Sequence, residues 1–159
     1  MERLVVVRLG KLYSPISLFK WSSPELPDTQ VIRHLFMEGS DVVVLLLGKG
    51  DKPLYMGKVL ELRPRNAALD SAYPPEYHTF ILFSNYRFFD VSQMNTNVFN
   101  PILESIRFTR GAQIHIEDEN LAIVVMGFYY GLQSAQNVRP APLTNVTVFN
   151  PNFFNVPQQ

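Results

Sequence analysis

The chain has 159 residues and a mass of 18.2 kDa, a size that fits one domain with a real hydrophobic core. Its 14 basic and 14 acidic residues give a formal charge of zero, so bulk electrostatic attraction to nucleic acid or membranes is not expected, and any anion site must be a local cluster. There is no cysteine, which excludes disulfides, thiolate metal sites and cysteine nucleophiles.

The first residues of the sequence indicate an intracellular protein. Between Met1 and Arg8 there are too few apolar residues for a signal peptide, and no apolar run approaches the length of a membrane-spanning helix. We therefore expect a cytoplasmic or nuclear protein without a membrane partner.

The first elements in chain order are a strand and a helix. The valine-rich run at residues 4–9 predicts a buried strand. Asp28 is a suitable helix cap, and it precedes an apolar stripe at residues 31–36 that Gly39 ends. We therefore expect a capped helix after the first strand.

Two further strands follow this helix. Residues 42–47 are six consecutive β-branched or aliphatic residues, which predicts a central strand. A glycine-rich turn separates it from a strand at 54–62, in which Gly57 indicates a bulge or a close backbone approach. Residues 63–77 carry three prolines and no clear period, which predicts a long loop of the kind that is usually functional or disordered.

The next segment, residues 79–91, is again typical of a strand. A loose alternation would place Phe80, Leu82, Tyr86 and Phe88 on one side of it.

The last elements are a strand and a helix. Residues 108–116 predict a strand, and the acidic residues that follow favour a helix from about 120 to 130. We expect one domain at residues 1–132 and a tail or linker rich in Pro, Asn and Gln at 133–159. The fold class is mixed α+β: a curled sheet of five or six strands, or a small barrel, with helices packed outside.

The sequence contains no recognisable set of catalytic residues. His34, His78 and His115 fall on a predicted helix, loop and strand, without a second histidine at ligand spacing. Neither a phosphate loop nor a Gly-x-Ser-x-Gly element is present. We therefore expect a protein that is not an enzyme and that has neither a metal nor a cofactor.

The only tryptophan, Trp21, lies between a lysine and two serines on the predicted connection between the first strand and the helix. Loops of this kind carry function more often than packing, and tryptophan is the best stacking and cation–π surface among side chains. The alternative is structural: the indole closes one end of the core.

Other aromatic and basic residues favour a binding function. Tyr73 and Tyr77 lie outside periodic strands, and arginines occur in pairs at positions 63/65 and 107/110. Solvated strand ends are the more common explanation of each pair. Basic groups beside exposed rings also fit single-stranded nucleic acid, in which phosphates meet arginine and bases stack on aromatic rings.

The order of these features resembles the YTH domain family. The Trp-Ser-Ser step at residues 21–23 is followed by a helix, by the strand at 42–47 and by the aromatic-x-Gly strand at 54–59. The Asn-Pro step at 100–101 and the Arg-Gly-Ala-Gln-Ile stretch at 110–114 are similar to later motifs of the family. The resemblance extends over roughly residues 4–130.

The chain departs from this pattern at two places. Gly111 stands where the family has an acidic residue, which is closer to the related EVE domains of the PUA-like superfamily. A second cage tryptophan is absent, and Tyr73 or Tyr77 would take its place. The pattern is also similar to the recognition domains of prokaryotic modification-dependent restriction enzymes, which flip methylated adenine out of DNA.

The resemblance implies a site and a partner. N6-methyladenine in RNA or DNA would enter an aromatic cage between Trp21 and one of two tyrosines, Tyr73 or Tyr77. Backbone or polar groups near Ser22 would hold the edge of the purine. Arg8, Lys20 and Arg110 would hold flanking phosphates without reading sequence. Further domains of a larger protein are possible partners.

The main alternative is a protein–protein interaction module without a nucleic-acid ligand. In that case Phe149, Phe153 and Phe154 of the tail would dock on a partner or on a second copy. Zero net charge favours this alternative, whereas a nucleotide-modifying enzyme comes third because no catalytic residue is apparent.

Overall fold

Residues 1–10, 24–94 and 97–138 are described by the computed structural model, and within them the fold is mixed α+β with six strands and three helices. The strands are β1 (Glu2–Arg8), β2 (Glu25–Pro27), β3 (Asp41–Leu47), β4 (Pro53–Pro64), β5 (Thr79–Asp90) and β6 (Gln113–Ile116). The helices are α1 (Val31–Met37), α2 (Asn100–Ser105) and α3 (Glu119–Val138), and single 3-10 turns cover Lys49–Asp51 and Asn97–Phe99.

The six strands form one curled half-barrel sheet in the order β2-β5-β4-β3-β1-β6. β1 and β3 run parallel, and the other four neighbouring pairs are antiparallel. This arrangement confirms the mixed α+β class and the curled sheet that the sequence predicts.

Both faces of the sheet are covered, and each has its own core. Leu4 and Val6 of β1 belong to the core under α2 and α3, whereas Val5 and Val7 belong to the core under α1. Residues 42–47 of β3 are fully buried for the same reason. A central strand that is covered on both sides needs apolar residues at every position, which explains the uninterrupted runs in the sequence.

The start of α1 differs from the prediction that Asp28 caps the helix. Gln30 is the cap residue, and its backbone N–H donates to the Asp28 carboxylate at 3.0 Å. The same carboxylate pairs with Arg33 Nε at 3.2 Å. Asp28 therefore stabilises the turn before the helix from a buried position, and burial raises the pKa of its carboxyl group.

Gly57 lies both at a bulge and at a close approach, the two alternatives that the sequence indicates. The pairing of β4 with β5 changes register directly after Gly57, and a Cβ atom on this residue would lie 2.5 Å from Phe88 Cδ1 and 2.9 Å from Phe83 Cδ1. The two rings occupy the space that any side chain would need, so the glycine permits the close approach.

The predicted alternation along β5 is wrong in its second half. Tyr86 is 77% exposed, and Phe88 packs in the same core as Ile81 and Phe83 rather than on the side of Phe80. Gly57 pairs with Phe88 and Val59 with Phe83, so β5 advances five residues while β4 advances two. The additional residues of β5 interrupt the period of two, and Tyr86 points to solvent while Phe88 stays in the core.

The predicted strand at 108–116 is also wrong in its first half. β6 begins at Gln113, and Phe108 is 87% exposed on the preceding loop. Gly111 adopts φ +112°, a left-handed conformation that glycine tolerates and that turns the chain into β6.

Helix α3 is longer than the predicted helix at 120–130. It begins at Glu119 and continues past residue 132, the expected end of the domain, as far as Val138. The remainder of the predicted tail, with Phe149, Phe153 and Phe154, lies outside the described residues.

Candidate nucleic-acid interface

Three of the predicted site residues, Lys20, Trp21 and Ser22, lie outside the described residues. The description resumes at Pro24, three positions after the tryptophan in the chain, where β2 begins to pair with β5. The Pro24 carbonyl accepts a hydrogen bond of 3.0 Å from the Phe83 N–H. The segment that carries Trp21 is therefore continuous with an edge strand of the sheet.

Edge strand β2 is tied to the 65–78 loop by one arginine. Arg63, on β4, donates to Glu25 Oε1 of β2 at 2.8 Å and to both carboxylate oxygens of Asp70 in the loop at 3.0 Å. Both carboxylates are buried. Hydrogen bonding to Asp70 is the main reason that the pKa of Arg63 is raised, and Glu25 adds to it. The arginine thus stays charged and joins three elements.

An aromatic pair completes this cluster. The Arg63 guanidinium lies 4.6 Å from the centroid of the Phe80 ring, and the Tyr73 ring meets the same phenylalanine edge-on at 5.5 Å. Tyr73 is 7% exposed. This tyrosine is thereby fixed beside the ion pairs, whereas Tyr77 is half-buried later in the loop.

The Arg65 side chain fixes the shape of the loop by binding the loop's backbone carbonyls. Its guanidinium donates to four carbonyl oxygens, those of Asp70, Tyr73, Pro74 and Tyr77, at 2.9–3.1 Å. These carbonyls must therefore face inward around one side chain. The 65–78 loop is an ordered structure, and both tyrosines of the predicted cage occupy positions fixed by the same arginine.

Arg8 serves a similar internal function at the other end of the sheet. Its Nε donates to Asp51 Oδ1 at 3.2 Å, and its terminal nitrogens donate to the carbonyls of Ile106, at 2.7 Å, and Thr109. Arg8 thus holds the 3-10 turn after β3 against the loop that precedes β6. The donors that would meet a phosphate are engaged within the protein.

We refer to Arg8, Lys49, Lys52, Arg107 and Arg110 as the basic end of the sheet. The last four of these residues are exposed. Three carboxylates lie at this end as well: Asp51, which pairs with Arg8, Glu104, which lies 3.4 Å from Arg107, and Asp90, the last residue of β5, which pairs with Tyr55 near the start of β4. Positive charge is therefore in excess at this end, although the whole chain is neutral.

The structure separates the described site residues into two groups. Tyr73 and Tyr77 share the 65–78 loop, whereas Arg8 and Arg110 belong to the basic end. Sequence reasoning missed Glu25 and Asp70. The one sign of them in the sequence is that each is an acidic residue next to a leucine. Sequence reasoning also attributed positions 63/65 to solvated strand ends or to phosphate contacts, and the structure shows both arginines bound to protein acceptors.

A pocket of about 260 Å³ lies between the start of β1 and the first turns of α3. Its lining includes Glu2, Arg3, Glu117 and Ile123 but no aromatic residue. A base would find no ring to stack on there, so this pocket is not the candidate site.

Other site types find no support in the described segments. Among residues 1–10, 24–94 and 97–138, no three His, Asp or Glu side chains lie close enough together to hold a metal ion. No helix within these ranges has the length and hydropathy needed to cross a bilayer.

Comparison of the chain with protein-family models, with curated proteins and with solved structures finds no match. What the protein binds must therefore be inferred from its own residues.

Proposed function

We propose that this protein is a non-catalytic nucleic-acid-binding module, similar in fold to YTH and EVE domains, that recognises a modified base. The ligand is N6-methyladenine, which leaves its stack and enters a slot between Trp21 and a tyrosine of the 65–78 loop. The protein would then read RNA or act as the DNA-recognition domain of a modification-dependent restriction system.

One observation carries this proposal. Arg63 bridges Glu25, which follows Trp21 by four positions, and Asp70, which precedes Tyr73 by three. Strand β2, which follows Trp21 in the chain, and the 65–78 loop are thereby anchored to the same largely enclosed side chain. Such anchoring favours a preformed site, because a binding constellation needs supporting contacts that hold it in place.

The energetics limit how the methyl group is recognised. Stacking of a base on an aromatic side chain contributes about 1–3 kcal/mol. Burial of one methyl group adds only about 0.8 kcal/mol. Discrimination must therefore also come from the unmethylated amino group, which loses more hydration when it enters the slot.

Phosphate contacts belong to the basic end. Arg110 is exposed and lies on the loop before β6, so we assign it this role. Lys20, outside the described residues, keeps the phosphate role that the resemblance implies. Arg8 acts indirectly, because its guanidinium is bound to Asp51 and to two carbonyls.

The decisive experiment is a titration of the full chain with methylated and unmethylated oligonucleotides of RNA and DNA, followed by the fluorescence of Trp21. Trp21→Ala, followed with labelled oligonucleotides, should abolish the preference for the methylated form while the circular dichroism spectrum stays unchanged. Tyr86→Ala removes an exposed tyrosine outside the 65–78 loop and is the matched control. A folded Trp21→Ala variant with the wild-type preference would refute the cage.

Arg110→Ala tests the phosphate contact separately. We expect both forms of the oligonucleotide to bind more weakly by the same factor, and the salt dependence of log Kd to decrease by about one phosphate contact. Selective loss of the methylated form would contradict this role.

The second candidate is a protein–protein interaction module. It is favoured by Ile123 and Val124 on α3, two neighbouring apolar side chains that are 68% and 54% exposed. A salt titration separates the candidates, because phosphate contacts weaken steeply with salt and apolar docking hardly responds.

A further inference from the structure

We propose that Phe108 is a second base-binding position, on which an unpaired base of single-stranded nucleic acid stacks while Arg107 and Arg110 contact the adjacent phosphates. This inference deepens the proposed function, because it assigns the ligand an extended single strand that reaches from the cage to the basic end. It is nevertheless testable without a modified base.

The first argument is the exposure of the ring. Phe108 is 87% exposed, and the residues around it from Arg107 to Gly111 are all exposed as well. A phenylalanine in this position contributes nothing to either core. Its ring lies 5.2 Å from the Arg107 guanidinium, an arrangement that presents a cation and a stacking surface together.

The second argument is that the loop is held in place. Arg8 binds the carbonyls of Ile106 and Thr109 on either side of Phe108, and the Thr109 N–H donates to the Ile106 carbonyl at 2.9 Å. Gly111 then turns the chain into β6. A ring on a braced loop loses little conformational freedom when a ligand binds, so less of the stacking energy is offset.

The third argument is charge. Lys49 and Lys52 flank Asp51, the residue that Arg8 binds, so the same brace places the lysine-bearing turn against the Phe108 loop. The Arg107 guanidinium lies against the ring itself, and the carboxylates of Asp51 and Glu104 each have an arginine partner. A polyanion is the ligand that this distribution favours.

The form of the ligand follows from the ring. The base faces of a duplex are stacked on one another, whereas an unpaired base offers its face to an aromatic side chain. A protein partner is disfavoured because Phe108 is the one large apolar side chain in the exposed stretch from Arg107 to Gly111. Interaction surfaces for proteins are larger contiguous apolar patches.

The test measures the affinity of the full chain for fluorescein-labelled single-stranded oligothymidylate, which contains no methylated adenine. Phe108→Ala should weaken binding by roughly 5- to 150-fold, the range expected for loss of one base stack. Phe108→Trp should retain or improve binding because it restores an aromatic face. Tyr86→Ala removes another highly exposed aromatic residue, 77% exposed on β5, and should leave the affinity unchanged.

A second measurement locates the stacked base. In an oligonucleotide with one N6-methyladenine, each neighbouring nucleotide is replaced in turn by an abasic one. At one position the abasic nucleotide should weaken binding to the wild type but not to Phe108→Ala, because the variant has already lost the stacking contact with that base. The ratio of affinities for methylated and unmethylated forms should be the same in the variant and the wild type.

The outcomes distinguish the two proposals. Wild-type affinity of Phe108→Ala for oligothymidylate, or equal weakening for a blunt duplex, would overturn the stacking role, as would absence of any binding to the single strand. Phe108-dependent binding of the single strand without any preference for methylated adenine would overturn the cage and support the inference drawn here.

Discussion

The guanidinium of Arg63 and the carboxylate of Asp70 form a bidentate salt bridge, in which both N···O distances are 3.0 Å. The carboxylate is fully buried, and the arginine side chain is largely enclosed as well. Glu25 binds the same guanidinium from a different strand. One cation therefore compensates two carboxylates that water does not reach, and the 65–78 loop cannot leave the sheet without separating them.

Removal of this cation should be strongly destabilising. Arg63→Met keeps the length of the side chain but removes the guanidinium that the buried carboxylates of Asp70 and Glu25 share, and we expect the free energy of unfolding to fall by about 3–5 kcal/mol. Urea denaturation followed by circular dichroism measures the change. Arg107→Met removes an exposed ion pair with Glu104 and should cost no more than about 1 kcal/mol. Equal losses in the two variants would argue against a special role for the buried cluster.

Arg65 should control the order of the loop more than the stability of the fold. A lysine has a single ammonium group and cannot reach four carbonyls in the geometry of a guanidinium. Arg65→Lys should therefore accelerate hydrogen exchange at the backbone amides of Tyr73 and Tyr77, by about fivefold or more if one buried carbonyl loses its donor. Amides of β3 should keep their protection, and Arg110→Lys is the matched control. Unchanged exchange in the loop would show that other contacts suffice.

Two glycines should respond in opposite directions to the same substitution. Gly57→Ala would place a methyl group 2.5 Å from Phe88 Cδ1, and overpacking of this kind costs about 1–3 kcal/mol. Gly127 lies inside α3, and a Cβ atom there would meet nothing within 4 Å. Gly127→Ala should therefore stabilise the protein by about 0.5–1 kcal/mol through helix propensity. Thermal or urea unfolding of both variants tests the pair, and destabilisation by Gly127→Ala would mean that its exposed surface is already covered.

His115 should make the protein less stable in mild acid. Burial is the main cause that lowers the pKa of this imidazole; Arg3 lowers it further and Glu117 opposes the shift. The folded protein then binds fewer protons than the unfolded chain below the ordinary histidine pKa of about 6.5. The contribution to stability is complete above that pH and is lost as the pH falls toward the lowered value.

The measurement is the free energy of unfolding at about pH 7.5 and at about pH 5. The free energy of unfolding should differ less between these two pH values in His115→Gln than in the wild type. His34→Gln, at an exposed histidine on α1, is the control for the substitution itself. A pH dependence identical to that of the wild type in His115→Gln would contradict the assignment.

The central strands were predictable because their physical requirement is local. β1 and β3 are buried on both faces, so each position needs an apolar side chain, and the run itself reveals the element. Edge strand β2 was not predictable in this way. It has only three residues, one of them Glu25. It is held in the sheet by hydrogen bonds to β5 and by the ion pair of Glu25 with Arg63.

The site was predictable only in its residue types. Aromatic and basic residues outside the strands pointed to binding, and Tyr73, Tyr77 and Arg110 remain predictions of that kind. Their supports could not be inferred, because Arg63 finds Glu25 at a separation of 38 residues and Arg8 finds Thr109 at 101. Such distant pairs depend on the tertiary fold and leave no periodic trace in the sequence.

The strand order has a consequence for biosynthesis. β1 is synthesised before both of its neighbours in the sheet, and one of them, β6, comes after all the other strands of the described segments. Until Gln113–Ile116 has been made, the outer edge of a valine-rich strand stays open to pairing with other chains. The nascent protein therefore passes through an aggregation-prone interval that ends only when β6 docks, and slow translation upstream of residue 113 would prolong it.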